Sequence, residues 1–333
     1  MKPARLLAAV GAVLLAPVLA LAVPAPSAPR PDPRALSPLP SFVQRVEPAL
    51  VALRVRAGAG QPGTPRFATA ILFDPRGYAV TVSYAVLDAG QITARLRDGR
   101  TVPARVAGVD LDAGLAVVRL EGAGPWPVAT LGDSAAVSAG MRAATVALDE
   151  DHQLVQAVGA VRGVRRFSAS WEYMLDRAFL VEPAVPSWAG AAVVDAEGRV
   201  VAVGSLRLGA PPQVTLAIPV ETFLPVKDEL IEAGRIVSRR PRPWIGLHTA
   251  AQAGGVFVEG FSERGPARSA GFRAGDRIVA VDGDLVASQE EFYERMWRRR
   301  AGDAIAVTVE RGGALRTITV PSLDRHRLHR DAP

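Results

Sequence analysis

The chain has 333 residues, 49% hydrophobic, 22% charged and 6% aromatic, which excludes wholesale disorder and predicts two domains, each with its own core. It contains no cysteine, so disulfide scaffolds, thiol catalysis and cysteine-ligated metal are excluded, and only His152, His248, His326 and His329 remain for a base or metal role. The net charge of +6 rests on arginine, with Lys2 and Lys227 the only lysines, and acidic residues are interspersed, which predicts a solvated basic surface and no nucleic-acid partner.

Lys2 and Arg5 precede an apolar run over residues 6–22 that ends in Ala20-Leu-Ala22, the three parts of an export signal over residues 1–22. An uncleaved anchor is the alternative, because the run approaches the roughly 20 residues of a membrane-spanning helix. Pro17 and the small-x-small end favour cleavage, and no cysteine follows to carry a lipid. Residues 23–40 hold seven prolines in eighteen positions and read as an extended linker.

From residue 41 to residue 232 short apolar stretches alternate with turn signals. Ala68-Thr-Ala-Ile-Leu-Phe73, Ile92-Thr-Ala-Arg-Leu96, Leu115-Ala-Val-Val-Arg-Leu120, Ala191-Ala-Val-Val194 and Val200-Val-Ala-Val203 are separated by segments such as Asp74-Pro-Arg-Gly77, Arg97-Asp-Gly-Arg100 and Asp195-Ala-Glu-Gly198. That pattern predicts a sandwich or barrel of strands in two units, near 41–126 and 127–220. A helix is predicted over residues 220–233, ending before Gly234, followed by a basic, proline-bearing linker at 233–243.

The last domain, 244–321, reads as strands with a helix near residues 288–300. Ser288 can cap that helix, Glu290 and Glu291 lie in its first turn, and Arg298-Arg-Arg300 lies at the end where the helix dipole favours cations. Phe292 with Met296 and Tyr293 with Trp297 are apolar i,i+4 pairs, read as packing and groove wall. A tail, 322–333, leaves no room for a second domain of this kind.

Several of these strings together resemble the HtrA/Deg family over residues 41–321. Ile71-Leu-Phe-Asp-Pro-Arg-Gly-Tyr-Ala-Val-Thr81 resembles the stretch leading to that family's catalytic histidine, and Leu96-Arg-Asp-Gly-Arg100 with Pro103-Ala-Arg-Val106 the hairpin after it. Leu115-Ala-Val-Val118 resembles the strand after the catalytic aspartate, Pro127-Val-Ala-Thr-Leu-Gly-Asp-Ser134 the start of the second barrel, and Leu216-Ala-Ile-Pro-Val220 the run ahead of the interdomain helix. The resemblance implies a mainly β chain: a chymotrypsin-like double β-barrel over 41–232 followed by one α+β PDZ domain over 244–321.

The same register implies that the catalytic residues are gone. The family's threonine-asparagine-asparagine-histidine string falls on Thr81-Val-Ser-Tyr84, its aspartate falls on Gly114, and its nucleophilic serine, within asparagine-proline-glycine-asparagine-serine, falls on Ala189 in Val185-Pro-Ser-Trp-Ala189. The glycine whose N–H completes the oxyanion hole falls on Ser187, and Trp188 beside it is placed to fill substrate space. Serine attack requires a base of near-neutral pKa and a carboxylate to orient it, and a tyrosine with a pKa of about 10 is a poor base. Ser187 and Asp112 are the nearest candidates for a rebuilt site. A Ser187–His152 pair is disfavoured, since a loop histidine beside Asp149, Glu150 and Asp151 reads as solvated surface, and His326-x-x-His329 lacks a third metal ligand.

In the last domain Trp244-Ile-Gly-Leu247 resembles the PDZ carboxylate-binding loop, so the N–H groups of Ile245, Gly246 and Leu247 are expected to take a peptide carboxylate, with Phe292 and Met296 in the groove. A PDZ domain used only for packing or assembly is the competing reading. The resulting expectation is a pseudoprotease of the bacterial periplasm or envelope without cofactor or metal, binding C-termini or unfolded segments as scaffold, regulator or holdase. The alternative is an active HtrA-type serine endopeptidase of periplasmic quality control with a non-standard site. The family often trimerises through its N-terminal segment, where Phe42 in Ser41-Phe-Val-Gln-Arg-Val46 is the position to examine, and a homotrimer or assembly with an active relative are the partners the resemblance implies.

Overall fold

In the computed structural model, which describes residues 40–58 and 64–330, the first six strands, rich in Val, Ala, Leu and Ile, close into a barrel around their buried side chains. These are β1 (Leu50–Ala57), β2 (Arg66–Asp74), β3 (Tyr78–Val82), β4 (Ala89–Leu96), β5 (Thr101–Asp110) and β6 (Leu115–Leu120), in the order β1-β2-β3-β6-β5-β4 with β4 returning to β1. The next six repeat the arrangement: β7 (Arg142–Leu148), β8 (Leu154–Ala169), β9 (Tyr173–Glu182), β10 (Ala192–Val194), β11 (Val200–Leu208) and β12 (Val214–Pro219), ordered β10-β11-β12-β9-β8-β7. One apolar cluster extends from β1, where Leu50 and Leu53 are fully buried, into the second barrel at Leu216 and Ile218. The predicted signal segment and all of the linker except Pro40 lie outside the described residues.

The helix expected over residues 220–233 is broken. Two single turns of 3₁₀-helix, Val220–Thr222 and Leu224–Val226, precede a short α-helix at Lys227–Glu232, because Pro225 has no N–H to donate and its ring clashes with a continuing helix. The basic linker binds inward: Arg239 reaches Asp110 at 2.8 Å and Arg242 reaches Asp112 at 3.7 Å, both on the first barrel. Phe42 is 7% exposed and packs in the barrel cluster of its own chain, with the Arg142 guanidinium over its ring.

The C-terminal domain begins with β13 (Pro243–Trp244). Its sheet runs β14 (Leu247–Gln252), β15 (Gly255–Phe261), β16 (Arg277–Val281), β18 (Ala304–Arg311), β19 (Ala314–Pro321), with β17 (Asp284–Leu285) on β16. Its main helix, Gln289–Met296, is capped as expected, the Ser288 hydroxyl accepting from the Glu291 N–H at 3.1 Å. The helix stops at Met296, and Arg298 and Arg299 turn away to pair with Asp284 and Asp282. Past β19, β20 (Leu323–Asp324) pairs with β13, and a last helix, Arg325–Arg330, returns to the first barrel, where Arg325 donates to the Leu111 carbonyl at 2.6 Å.

Candidate functional site

Tyr84, Gly114 and Ala189, the positions on which the family resemblance places the triad, are tied to one another through neighbouring backbone bonds. The Ser83 N–H donates to the Gly114 carbonyl at 2.8 Å, tying the residue before Tyr84 to the loop ahead of β6. The loop that carries Ala189 is held on two sides: the Thr69 N–H donates to the Ala189 carbonyl at 2.8 Å, and Gly190 and Ala191 exchange backbone bonds with Gly204 at 2.8 and 2.7 Å. Next along β11, the Ser205 carbonyl accepts the Tyr84 hydroxyl at 2.5 Å, bringing position 84 to the same strand that anchors position 189.

Each position is occupied by something that serves packing. Burial of its hydroxyl end pushes the Tyr84 phenol up to about 12, although the residue as a whole is 41% exposed, so it holds its proton at neutral pH and cannot accept one from a nucleophile. Gly114 has φ +78°, and a Cβ there would lie 3.1–3.4 Å from atoms of the Tyr173 ring, which fills the space an aspartate would need. Tyr173 is buried and held there by donating to the Ala113 carbonyl at 2.8 Å. Ala189 offers only a methyl group. Ser187 is half-buried, and Trp188 carries the Arg207 guanidinium 4.5 Å above its ring.

The second half of the site lies in the C-terminal domain. The structure places Ile245, Leu247, Phe292 and Met296 in one buried apolar cluster, with Gly246 at φ +78° turning the loop between the first two, and the β8–β9 hairpin of the same chain packs against them. Glu172, at the tip of the β8–β9 hairpin, accepts the N–H of Ile245 at 3.0 Å and of Leu247 at 2.7 Å on its side-chain carboxylate. Ser170 accepts the Thr249 N–H of β14 on its carbonyl at 2.9 Å. Met174, on β9, joins the apolar cluster of Ile245, Leu247, Phe292 and Met296.

Residues 68–203 match the trypsin-like peptidase domain, and residues 243–321 match the PDZ domain. The chain is 25% identical over 264 residues to the serine protease Do-like HtrA of Lactobacillus helveticus, covering 72% of this chain and 63% of that protein. It is 27% identical over 274 residues to the serine endoprotease DegS of Escherichia coli, covering 75% and 74% respectively. The chain belongs to the HtrA/Deg family. A probable periplasmic serine endoprotease, DegP-like, of Halomonas elongata is 27% identical over 263 residues, 73% of this chain and 53% of that one. The chain thus spans between about half and two thirds of the HtrA and DegP-like relatives. The fold is shared with the HtrA-type protease AlgW with decapeptide, at a TM-score of 0.54 and 22% identity over 85% of this chain and 98% of that one. The serine endoprotease from Yersinia pestis gives the same TM-score and identity over 85% and 96%.

Within this HtrA/Deg chain no histidine among the described residues hydrogen-bonds to Tyr84, Ser187 or Ala189. His152 corrects the sequence expectation of solvated surface: it is 8% exposed, its Nε2 lies 2.9 Å from the Leu96 carbonyl, and burial holds its imidazole below the usual histidine range. It therefore braces the β4 hairpin. Asp112 faces Arg242 and Arg325 across the domain boundary, so it does not act as a displaced triad acid. His248 lies 3.1 Å from the Ser262 hydroxyl, and His329 lies 3.2 Å from Asp88. Between the cleft and the PDZ domain lies a cavity of about 740 Å³ whose walls include Tyr84, Gly114, Tyr173, Trp244, Phe261 and Leu328.

Sequence reasoning missed Tyr173 and Glu172 altogether, and it read Tyr293 as packing and groove wall without a role for its hydroxyl. The Tyr293 hydroxyl donates to the Ala169 carbonyl at 2.7 Å and accepts from the Glu172 N–H at 3.2 Å. Burial pushes the Glu172 carboxyl up to about 7, against the pull of the Ile245 and Leu247 N–H groups and of the nearby Arg325 charge.

Proposed function

We propose that this HtrA/Deg chain is a non-catalytic member of the family, located in the cell envelope, that engages peptide or protein C-termini or unfolded segments through its PDZ domain as a scaffold, regulator or holdase. One observation carries the reading: the residue presented at the nucleophile position by an otherwise well-anchored loop is Ala189, which has no atom able to attack a carbonyl. The surroundings agree with it. The base position holds a tyrosine that keeps its proton, and the orienting acid's space holds the ring of Tyr173. The envelope location draws on the predicted export signal and on the periplasmic description of the DegP-like relative. The PDZ assignment of residues 243–321, and a structural neighbour described with a bound decapeptide, support the peptide class of partner.

Incubation of the purified chain with casein tests the catalytic half. The expected result is no cleavage above a protein-free blank; cleavage that disappears on Ser187→Ala or His152→Ala substitution would replace this reading with an active endopeptidase built on a relocated site.

A further inference from the structure

We propose that the β8–β9 hairpin is a resident intramolecular ligand of the PDZ groove, with the Glu172 side chain standing in for a chain terminus, so that an external peptide bearing a free α-carboxylate binds only by displacing it. The exchange half of this proposal rests on the peptide-binding reading above; the self-occupancy half does not.

The hairpin turn lies against β14, which ends its sheet. The Glu172 side-chain carboxylate accepts the Leu247 N–H, and the Ser170 backbone carbonyl accepts the Thr249 N–H, so the turn takes amides of both the loop and the strand. The opposite wall of the groove, the helix Gln289–Met296, is engaged as well. Ser168 donates to Glu290 at 2.6 Å, Arg166 to Glu294 at 2.7 Å, and Tyr293 to the Ala169 carbonyl at 2.7 Å. Residues 166, 168 and 169 of β8 thus lie along the helix while Ser170 and Glu172 lie along the strand and its loop.

Two further features mark the contact as a built ligand site. Glu172 has φ +56°, a left-handed conformation that a glutamate resists and that persists only where surrounding bonds hold it. Its carboxylate is buried, 3% exposed for the residue as a whole, and takes two N–H groups that a terminal carboxylate would otherwise take. Tethering makes such a ligand a strong competitor: a short covalent link supplies a local concentration on the order of millimolar, and a groove open for a tenth of the time weakens an external ligand about tenfold.

The test uses the full chain and its Glu172→Gln variant, which keeps the size of the side chain and removes the carboxylate. The probe is a fluorescein-labelled peptide, Phe-Ser-Ala-Ser-Trp-Glu, with a free C-terminus, read by anisotropy beside its C-terminal amide. Hydrogen exchange at the Ile245, Leu247 and Thr249 amides is measured in parallel. The proposal predicts at least about tenfold faster exchange at these amides in the variant, and at least about tenfold tighter binding of the free-acid peptide than by the parent chain, with the amide bound by neither. Unchanged exchange overturns self-occupancy, and equal measurable affinity of the two chains overturns the competition. Faster exchange with no peptide bound by either chain leaves the resident ligand standing and removes the peptide-binding reading instead. Should Glu172→Gln not fold, Glu172→Gly, which suits the left-handed backbone there, carries the same comparison.

Discussion

The triple variant Tyr84→His, Gly114→Asp, Ala189→Ser cleaves casein no faster than the parent chain. Restoring the three identities does not restore the geometry, because position 114 has φ +78° and its side-chain direction runs into Tyr173 at 3.1–3.4 Å. Aspartate tolerates the left-handed conformation better than most residues, but its side chain still has to displace the ring, and displacing the ring breaks the Tyr173 bond to the Ala113 carbonyl. Without an oriented carboxylate the new histidine lacks the partner that selects its tautomer, and loss of triad function in a serine protease costs on the order of 10⁶ in kcat. Activity is expected only when Tyr173→Ala and Ser187→Gly are added, the first to clear the aspartate's space and the second to return glycine to the oxyanion-hole position. Casein turnover across the triple, quadruple and quintuple variants checks this; full recovery by the triple variant would show that both the acid's space and the oxyanion hole are intact.

Gly190→Ala yields no folded protein. At this position φ is +73°, and a Cβ would stand 1.8 Å from the Thr69 carbonyl oxygen and 2.5 Å from the Thr81 hydroxyl, both of them inside the first barrel. Thr81 itself donates to the Thr69 carbonyl at 2.7 Å and is fully buried, so the methyl group has nowhere to go without parting the two barrels. The expected loss exceeds about 4 kcal/mol, read as absence of a cooperative thermal transition in circular dichroism. A melting temperature within a few degrees of the parent chain would contradict the account. The backbone around Ala189 is a structural joint between the barrels, and its glycine is required by packing whether or not a nucleophile stands beside it.

The barrels were legible because their signal is local. Short apolar strings such as Leu115-Ala-Val-Val-Arg-Leu120, punctuated by Asp-Gly and Pro-Arg-Gly turns, announce strands one after another, and the motif register points to Tyr84, Gly114 and Ala189, whose surroundings are tied by the Ser83–Gly114, Thr69–Ala189 and Gly190–Gly204 backbone bonds and by the Tyr84 hydroxyl on the Ser205 carbonyl. The contents of the cleft and the groove were not legible, because both depend on the β8–β9 hairpin. Its turn, Ser170-Trp-Glu172, contains none of the Gly, Pro, Asn or Asp residues that announce a turn, and its tip meets partners 60 to 124 residues away in sequence. A glutamate at φ +56° cannot be inferred from composition, since the conformation is imposed by the loop it bonds to. His152 fails for a related reason: three acidic neighbours suggest water, yet the ring packs under a carbonyl of the other barrel at Leu96. The break in the helix after β12 was within reach, because Pro225 sits inside the predicted span.

The central claim, that the cleft holds no activated serine, is tested most directly by intact-mass analysis after incubation with a fluorophosphonate, which labels a serine hydroxyl only where a base and an oxyanion hole act on it. The account predicts an unchanged mass for the full chain. A single stoichiometric adduct, mapped to Ser187 or to any other serine at the interbarrel cleft, would contradict it.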